Sequence, residues 1–267
     1  MLVPRGIRIA LRLATGLTMA FIYLPIALIV LYSFNAAKVA TWPITGLTID
    51  WYLKALANAG IRTALLTSIE AAIGATITSL VLGSLIAVAV QRYAFFGRQT
   101  LSFVVVLPLA LPGIVTGIAL NAAFQALGLD FGLMTIIVGH ATFCVVVVFN
   151  NVVARLRRLP RTAEEASMDL GADTFTTFRR ITFPAIRSAL LAGGLLAFAL
   201  SFDEIIVTNF TSGAGTQTLP LWIFTNYQRP NNLPLVNVAA VFVLLLSIIP
   251  VYLASRVTTD PAATGRT

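Results

Sequence analysis

Six stretches of the sequence, each of about 20 residues, carry almost no charged side chains. A stretch of this length crosses a bilayer as a helix, which satisfies every backbone polar group within the segment. The composition agrees, because 58% of the residues are hydrophobic and only 10% are charged, whereas soluble domains are roughly 25% charged. A soluble globular protein is therefore excluded, and we predict an all-α integral membrane protein with six transmembrane helices.

The apolar stretches give approximate limits for the spans. We predict them at residues 13–34, 63–90, 100–122, 134–154, 188–210 and 235–255. Three arginines precede the first span, and a signal peptide also begins with basic residues. The span is longer than the roughly 7–15 apolar residues of a signal peptide, so we predict an uncleaved helix. The apolar segment 219–224 is too short to span. It either dips into the outer leaflet or packs on the helix bundle.

Lys and Arg residues are distributed unevenly over the predicted loops. Fourteen of the 18 fall at the two termini and in the loops after the second and fourth spans. Because basic residues are retained on the cytoplasmic side, we expect both termini there, and the net charge of +8 requires no nucleic acid partner. We divide the chain into a cytoplasmic N-terminus (1–12), a membrane domain (13–255) containing a cytoplasmic loop (155–187), and a cytoplasmic tail (256–267).

The sequence lacks the residues that catalysis or metal binding requires. No GxxxxGK[ST] pattern is present, so the chain has no Walker A loop. His140 and Cys144 are the sole histidine and the sole cysteine, which excludes an HExxH site, a cysteine-rich metal site and a disulfide framework. We expect no metal site, no bound cofactor and no enzymatic activity, and an energy source that is either a partner protein or an ion gradient.

The cytoplasmic loop carries signals for two short helices. Thr162 and Glu165 fit a capping box, and Gly171 is a natural left-handed stop. Asp173 is placed to cap a second helix, which is expected to end before Pro184. Taken alone, these signals are equally compatible with a structural role, in which Glu165 only caps its helix and the nearby arginines only anchor the loop.

The spacing of the loop residues resembles the EAA loop of ABC importer permeases. That pattern is written EAA, three residues, G, nine residues, I, one residue, LP. The residues at the positions of this pattern are Glu165, Ala166, Ser167, Gly171, Ile181 and Pro184. Ser167 replaces the second alanine and Phe183 replaces the leucine, and both changes are mild.

The resemblance extends over about residues 13–257 and looks strongest to the second permease subunit of spermidine/putrescine-type importers. The segments 201–206 and 219–221, with Asn237, carry this likeness, and 108–113 and 139–140 add to it. The resemblance implies a type I ABC importer permease fold in the bacterial inner membrane. It also implies that the loop is a coupling helix that sits in a groove of an ATPase subunit.

The same resemblance implies the composition of a larger complex. The partners would be a second homologous permease, two ABC ATPase subunits that hold ATP and Mg²⁺, and an external solute-binding protein. The substrate would be a polyamine. An importer for an aminophosphonate, an opine or ferric iron remains an alternative, as do an ion-coupled secondary carrier and, least favoured, a membrane-bound enzyme. The sequence leaves open whether the two permeases are identical.

Four ionisable residues lie within the predicted spans, in their outer halves: Glu70, His140, Asp203 and Glu204. Inserting a carboxylate at mid-bilayer costs about 2.5–3.5 kcal/mol. We therefore expect each of these acidic residues to have a functional or structural role. Acidic groups lining an outer vestibule would suit a cationic substrate. The alternative is structural, with His140 paired to one carboxylate. Because Asp203 and Glu204 would lie about 100° apart on a continuous helix, we expect only one of them to face a path.

Overall fold

A computed structural model describes residues 5–39, 42–229 and 232–258. The predictions for residues 1–4 and 259–267, at the two ends of the chain, fall outside the described residues. The described chain is helical, with short connections. Its helices are α1 (Arg5–Ser33), α2 (Asp50–Ala57), α3 (Ala59–Arg92), α4 (Arg98–Ala110), α5 (Gly113–Ala126), α6 (Leu133–Arg157), α7 (Thr162–Asp169), α8 (Thr174–Thr177), α9 (Phe183–Phe202), α10 (Ile206–Thr211), α11 (Leu219–Tyr227) and α12 (Leu233–Thr258).

The described residues divide into two compact units, one formed by those within 5–62 and 223–244 and the other by those within 63–222 and 245–258. In the first unit, the loop after α1 is held against α2. The Trp51 indole N–H donates to the carbonyl oxygen of Asn35 at 2.9 Å, and the hydroxyls of Ser33 and Tyr52 lie 2.7 Å apart. Ser33 is the one buried residue of α1, so this helix presents its side chains to its surroundings.

The core of the second unit lies where α3, α6 and α9 pack against one another. Small residues permit this close approach: a Cβ at Gly83 would lie 2.9 Å from the carbonyl oxygen of Val145, and one at Gly193 would lie 3.3 Å from the Cα of Val148. The fully buried side chains of this core include Ala87, Cys144, Val148, Val152, Ile186 and Ala197. This packing fixes the three helices that carry the polar residues discussed below.

Five described helices are long and apolar enough to cross a membrane, or six if a bent pair counts as one span. The predictions of spans 13–34, 63–90, 134–154 and 235–255 agree with α1, α3, α6 and α12. The predicted span at 100–122 corresponds to the bent pair of helices α4 and α5, which meet at an angle of 109°. The break falls at Leu111 and Pro112, where the residue before a proline avoids helical geometry and Leu111 is extended.

The predicted span 188–210 is also interrupted. Helix α9 ends at Phe202, α10 begins at Ile206, and Asp203 and Glu204 lie in the break between them. The expectation that these two carboxylates share a continuous helix is therefore wrong. The break is stabilised locally, because the Glu204 carboxylate accepts a hydrogen bond at 2.9 Å from the Val207 backbone N–H, one of the unpaired donors at the start of α10.

The short apolar segment at 219–224 packs on the bundle. It forms the start of α11, where Leu219, Leu221 and Trp222 are buried. The backbone N–H of Leu219 donates to the hydroxyl oxygen of Ser68 on α3 at 2.7 Å. Of the two alternatives for this segment, the structure therefore supports packing.

Candidate functional site

Helices α7 and α8 form a hairpin, residues 162–177, between the ends of α6 and α9. The predicted capping box is wrong, because the helix turns one residue earlier than expected. Arg161 takes the cap position in helical geometry, and its carbonyl oxygen accepts from the N–H groups of both Glu164 and Glu165 at 2.9 Å. Thr162 is thus the first helical residue, and no side chain caps this helix.

The end of α7 follows the prediction. Gly171 has φ = +88°, in the left-handed region where glycine is favoured. Its N–H donates to the carbonyl oxygen of Met168 at 2.9 Å, and the N–H of Ala172 donates to that of Ser167 at 3.1 Å. These two bonds form a Schellman motif, which satisfies the last carbonyl groups of the helix.

The start of α8 also follows the prediction, but its end does not. The Asp173 carboxylate accepts from the N–H of Thr176 at 2.8 Å, and hydrogen bonding from the Thr176 side chain, together with this backbone bond, lowers the pKa of Asp173. Helix α8 does not stop before Pro184. It continues through a π-helical turn, Phe178–Thr182, directly into α9, where Pro184 sits in the first turn. Pro184 directly follows the π-helical turn, and a departure of this kind from the regular i→i−4 hydrogen-bond pattern accommodates a residue that has no N–H.

Glu164 is the residue that links the hairpin to the long helices. Its Oε2 lies 2.8 Å from Nε of Arg92 at the end of α3, and its Oε1 accepts from the Thr182 hydroxyl at 2.8 Å. The Arg92 and Glu164 side chains are only 12% and 14% exposed. Sequence reasoning gave Glu164 no separate role, since its basic partner lies 72 residues away.

Further hydrogen bonds fix the hairpin and its flanks. Arg161 donates to the carbonyl oxygen of Gln91 at 2.6 Å, and Arg155 donates to that of Ala185 at 2.9 Å. The hydroxyls of Ser167 and Thr177 lie 3.1 Å apart, which joins α7 to α8. The hairpin is therefore attached both to the end of α3 and to the helix that becomes α9.

The predicted coupling residues are distributed between the surface and the interior of this hairpin region. Glu165, Ala166, Gly171 and Pro184 are exposed, whereas Ser167 and Ile181 are partly buried. Apolar side chains stand beside the exposed residues: Met168 is 46% exposed, Phe175 68% and Leu170 90%. The hairpin thus presents an apolar surface that no described residue of this chain covers.

A second polar site surrounds the break between α9 and α10. His140 of α6 is fully buried, and its two ring nitrogens lie 2.7 Å from the Ser201 hydroxyl and 2.8 Å from the Thr208 hydroxyl. The Thr208 hydroxyl donates to the carbonyl oxygen of Glu204 at 2.9 Å, which leaves its oxygen to accept from the His140 ring. The hydrogen bonds of His140 therefore go to hydroxyls, and not to a carboxylate as the structural alternative expected.

The three carboxylates have different surroundings. Glu204 caps α10, whereas Asp203 is exposed and its carboxylate has no hydrogen bond or ion pair with any residue that the structure describes. Glu70 is exposed on α3, beside the exposed apolar side chains of Leu66 and Ile73. The structure thus brings His140 and Glu204 into one hydrogen-bonded network with Asp203 next to it, and Glu70 stands apart from that network on another helix.

Comparison with known proteins places this architecture in a defined group. Residues 79–258, more than half of the chain, match the family described as "Binding-protein-dependent transport system inner membrane component". The match begins within α3 and runs through the hairpin to the end of α12. It thus contains both the α7–α8 hairpin and the α9–α10 break.

Two curated relatives are similar over most of their length. The putrescine transport system permease protein PotI of Escherichia coli K12 is 36% identical over 248 residues, covering 88% of this chain and 87% of that protein. The spermidine/putrescine transport system permease protein PotC of the same organism is 33% identical over 242 residues, covering 90% of each chain.

A solved structure shares the fold at low sequence identity. One chain of a bacterial ABC transporter involved in the import of the acidic polysaccharide alginate superposes with a TM-score of 0.72. The two chains are 14% identical, and the superposition covers 94% of each. This likeness supports the fold alone.

Proposed function

The chain belongs to the family of binding-protein-dependent transport system inner membrane components, and we propose that it is a permease subunit of an ABC importer for polyamines. As a multi-pass inner-membrane permease, it is a non-catalytic subunit. ATP and Mg²⁺ would be bound by partner ATPase subunits, since this chain has no Walker A loop.

The polyamine substrate is supported by the relatives and by one structural observation. PotI and PotC carry putrescine and spermidine in their names and cover about nine tenths of this chain. The observation that carries the proposal is the exposed Asp203 carboxylate in the α9–α10 break, which has no partner among the described residues. A carboxylate in a membrane-spanning region is energetically unfavourable. Its presence in the break therefore favours a cationic ligand that it contacts during passage.

The α7–α8 hairpin would be the surface that contacts an ATPase subunit. Its exposed apolar side chains, Met168, Leu170 and Phe175, fit an apolar groove on a partner. The Arg92–Glu164 pair and the Thr182 hydroxyl would transmit movement of the hairpin to α3 and α9. Helix α9, with 20 residues, is about 30 Å long, so it connects the hairpin with the break that holds Asp203.

The complete importer would contain a second homologous permease, two ATPase subunits and an external solute-binding protein. We propose that both termini, 1–12 and 256–267, and the 155–187 region face the cytoplasm, as the distribution of basic residues favours. The membrane domain would comprise residues 13–255. Glu70 would then lie on a face of α3 that meets the second permease or the solute path, because facing lipid is costly for a carboxylate.

The experiment that tests this function uses the intact complex. An affinity tag on this chain would recover it with its partners, and the complex would be reconstituted in liposomes with the recovered binding protein. We expect ATP-dependent uptake of putrescine or spermidine. Uptake of an aminophosphonate, an opine or ferric iron instead would replace the polyamine assignment, and uptake driven by an ion gradient without ATP would contradict an ABC importer.

A further inference from the structure

A polar groove lies between the end of α3, the start of α4 and the end of α6. Its volume is about 610 Å³, within the roughly 300–1,000 Å³ of small-molecule pockets. The polar side chains that line it are Gln91, Arg98, Gln99, Ser102, Asn150 and Arg157. Its apolar wall is formed by Val90, Val106, Phe149 and Val153. We call this the α3–α4–α6 groove.

The charged side chains that line this groove are all positive. Arg98 and Arg157 line it, and none of the described residues that line it is acidic. Neither guanidinium group forms an ion pair or a hydrogen bond with another described residue; the Ser102 hydroxyl donates at 3.1 Å only to the backbone carbonyl of Arg98. The side-chain amides of Gln91, Gln99 and Asn150 likewise form no hydrogen bond with another described residue. The groove therefore offers two cations and three amides to an external group.

The groove joins these polar groups to an apolar surface at the ends of long apolar helices. Arg157 is the last residue of α6 and Arg98 the first of α4, whereas Val106 lies two turns further along α4. A ligand that fits this arrangement has an anionic head and an apolar body. We propose that the α3–α4–α6 groove binds an anionic phospholipid, with the phosphate between Arg98 and Arg157 and the acyl chains along Val106.

A lipid fits this groove better than an acidic segment of an ATPase subunit. The hairpin that would meet the ATPase contacts the last turn of α3 through the Arg92 side chain and the Gln91 backbone carbonyl, which leaves the Gln91 side-chain amide in the groove. Near Val106, α4 also exposes the apolar side chains of Phe103, Leu107 and Leu109, which a bilayer would cover. Basic pockets between membrane helices on the cytoplasmic side are suited to anionic headgroups, and this groove has that position in the proposed orientation.

The test measures lipid binding to the purified complex. Native mass spectrometry, with phosphatidylglycerol or phosphatidylcholine added from mixed micelles, would give the affinity of each lipid. The variant is Arg98→Gln with Arg157→Gln. The matched control is Arg5→Gln with Arg12→Gln, which removes the same charge from exposed positions on α1. We expect phosphatidylglycerol to bind the groove variant roughly thirtyfold more weakly, from about fivefold per arginine, and the control to bind it as the unaltered complex does.

A second variant, Arg98→Lys with Arg157→Lys, separates charge from folding. It retains both positive charges, so it should keep most of the affinity, and all three variants should melt at similar temperatures. Equal affinity of the unaltered complex for phosphatidylcholine would overturn the proposal, as would equal weakening by the lysine and glutamine pairs. Unchanged lipid binding with loss of the ATPase subunits would also overturn it and make the groove a protein interface. Because micelles have no inside or outside, the result does not depend on the proposed orientation.

Discussion

The imidazole ring of His140 bridges Ser201 of α9 and Thr208 of α10, at 2.7 Å and 2.8 Å. These two hydroxyls lie on opposite sides of the break that contains Asp203 and Glu204. One buried side chain on α6 therefore holds both helix ends in place. The exposed carboxylate of Asp203 owes its position to this bridge.

Replacing His140 should weaken the second unit through lost hydrogen bonds. His140→Phe fills a similar volume but leaves two buried hydroxyls without a partner on α6. Hydrogen bonds between membrane helices are worth about 0.6–1.7 kcal/mol each, so we expect a loss of about 1–3 kcal/mol. Thermal unfolding of the purified complex measures it. His140→Gln, which offers one donor and one acceptor, should recover part of the loss; a defect in uptake without any loss of stability would instead place His140 in the solute path.

Removing the charge of Asp203 should slow uptake without affecting folding. Asp203→Asn keeps the size of the side chain, and the Asp203 carboxylate has no protein partner to lose among the described residues. A charged hydrogen bond to a cation is worth about 1.5–3 kcal/mol, which corresponds to roughly a 10- to 150-fold slower uptake. Uptake and melting temperature should be measured on one preparation.

Glu204→Gln is the matched control for that variant. Its amide oxygen can still accept from the Val207 N–H, so the cap of α10 should survive. We expect a smaller effect on uptake than for Asp203→Asn. Equal effects of the two changes on uptake would mean that the position of the carboxylate in the break does not matter. That result would contradict the proposal that Asp203 contacts the cation.

Breaking the Arg92–Glu164 pair should loosen the hairpin. Glu164→Gln leaves Arg92 as a largely buried cation without its counter-ion, and we expect a loss of about 1–3 kcal/mol in the stability of the complex. Uptake per ATP hydrolysed should also fall, because the hairpin no longer moves with α3. Glu165→Gln, at the exposed neighbouring position, should leave the melting temperature unchanged; an equal drop in both variants would mean that the ion pair is not what holds the hairpin.

Substitution of Gly171 should change the binding of the ATPase subunits without changing the fold of this chain. A Cβ at Gly171 would meet no atom of the described chain within 4 Å, so only the positive φ opposes a side chain. Gly171→Asn tolerates that geometry, and it should insert and fold normally. Gly171→Asp has nearly the same shape with a charge added. Retention of the ATPase subunits by the asparagine variant and their loss from the aspartate variant, measured by co-purification, would support the contact; normal retention by both would argue against it.

The orientation is testable with single cysteines in a Cys144→Ala background. Ala94, between α3 and α4, and Ala214, between α10 and α11, are both exposed. We expect an impermeant thiol reagent to label only Ala214→Cys in cells whose outer membrane has been permeabilised. Gly213 is unsuitable, because a side chain there would collide with the carbonyl group of Phe131. Labelling of Ala94→Cys alone would reverse the proposed orientation.

The sequence predicted most of the helices and two of the hairpin turns, because those features depend on local residues. Apolar length gives α1, α3, α6 and α12, while Gly171 and Asp173 act on their immediate neighbours. The α9–α10 break was missed, and the angle of the α4–α5 bend was not predicted, because hydropathy records how long an apolar stretch is and not its direction. The capping box failed at Thr162 because the chain entered the helix one residue early. The role of Glu164 depends on Arg92, far away in the sequence, and local patterns do not contain that information.

The uninterrupted path from α8 through the π-helical turn into α9 makes the number of residues in this segment matter. One residue added between Phe183 and Phe202 would turn Asp203 by about 100° relative to the hairpin and move it by about 1.5 Å. A helix of this kind tolerates substitutions more readily than changes of length. The π-helical turn holds one residue more per hydrogen-bonded turn than an α-helix does. It therefore sets the rotation of Asp203 about the helix axis relative to the hairpin.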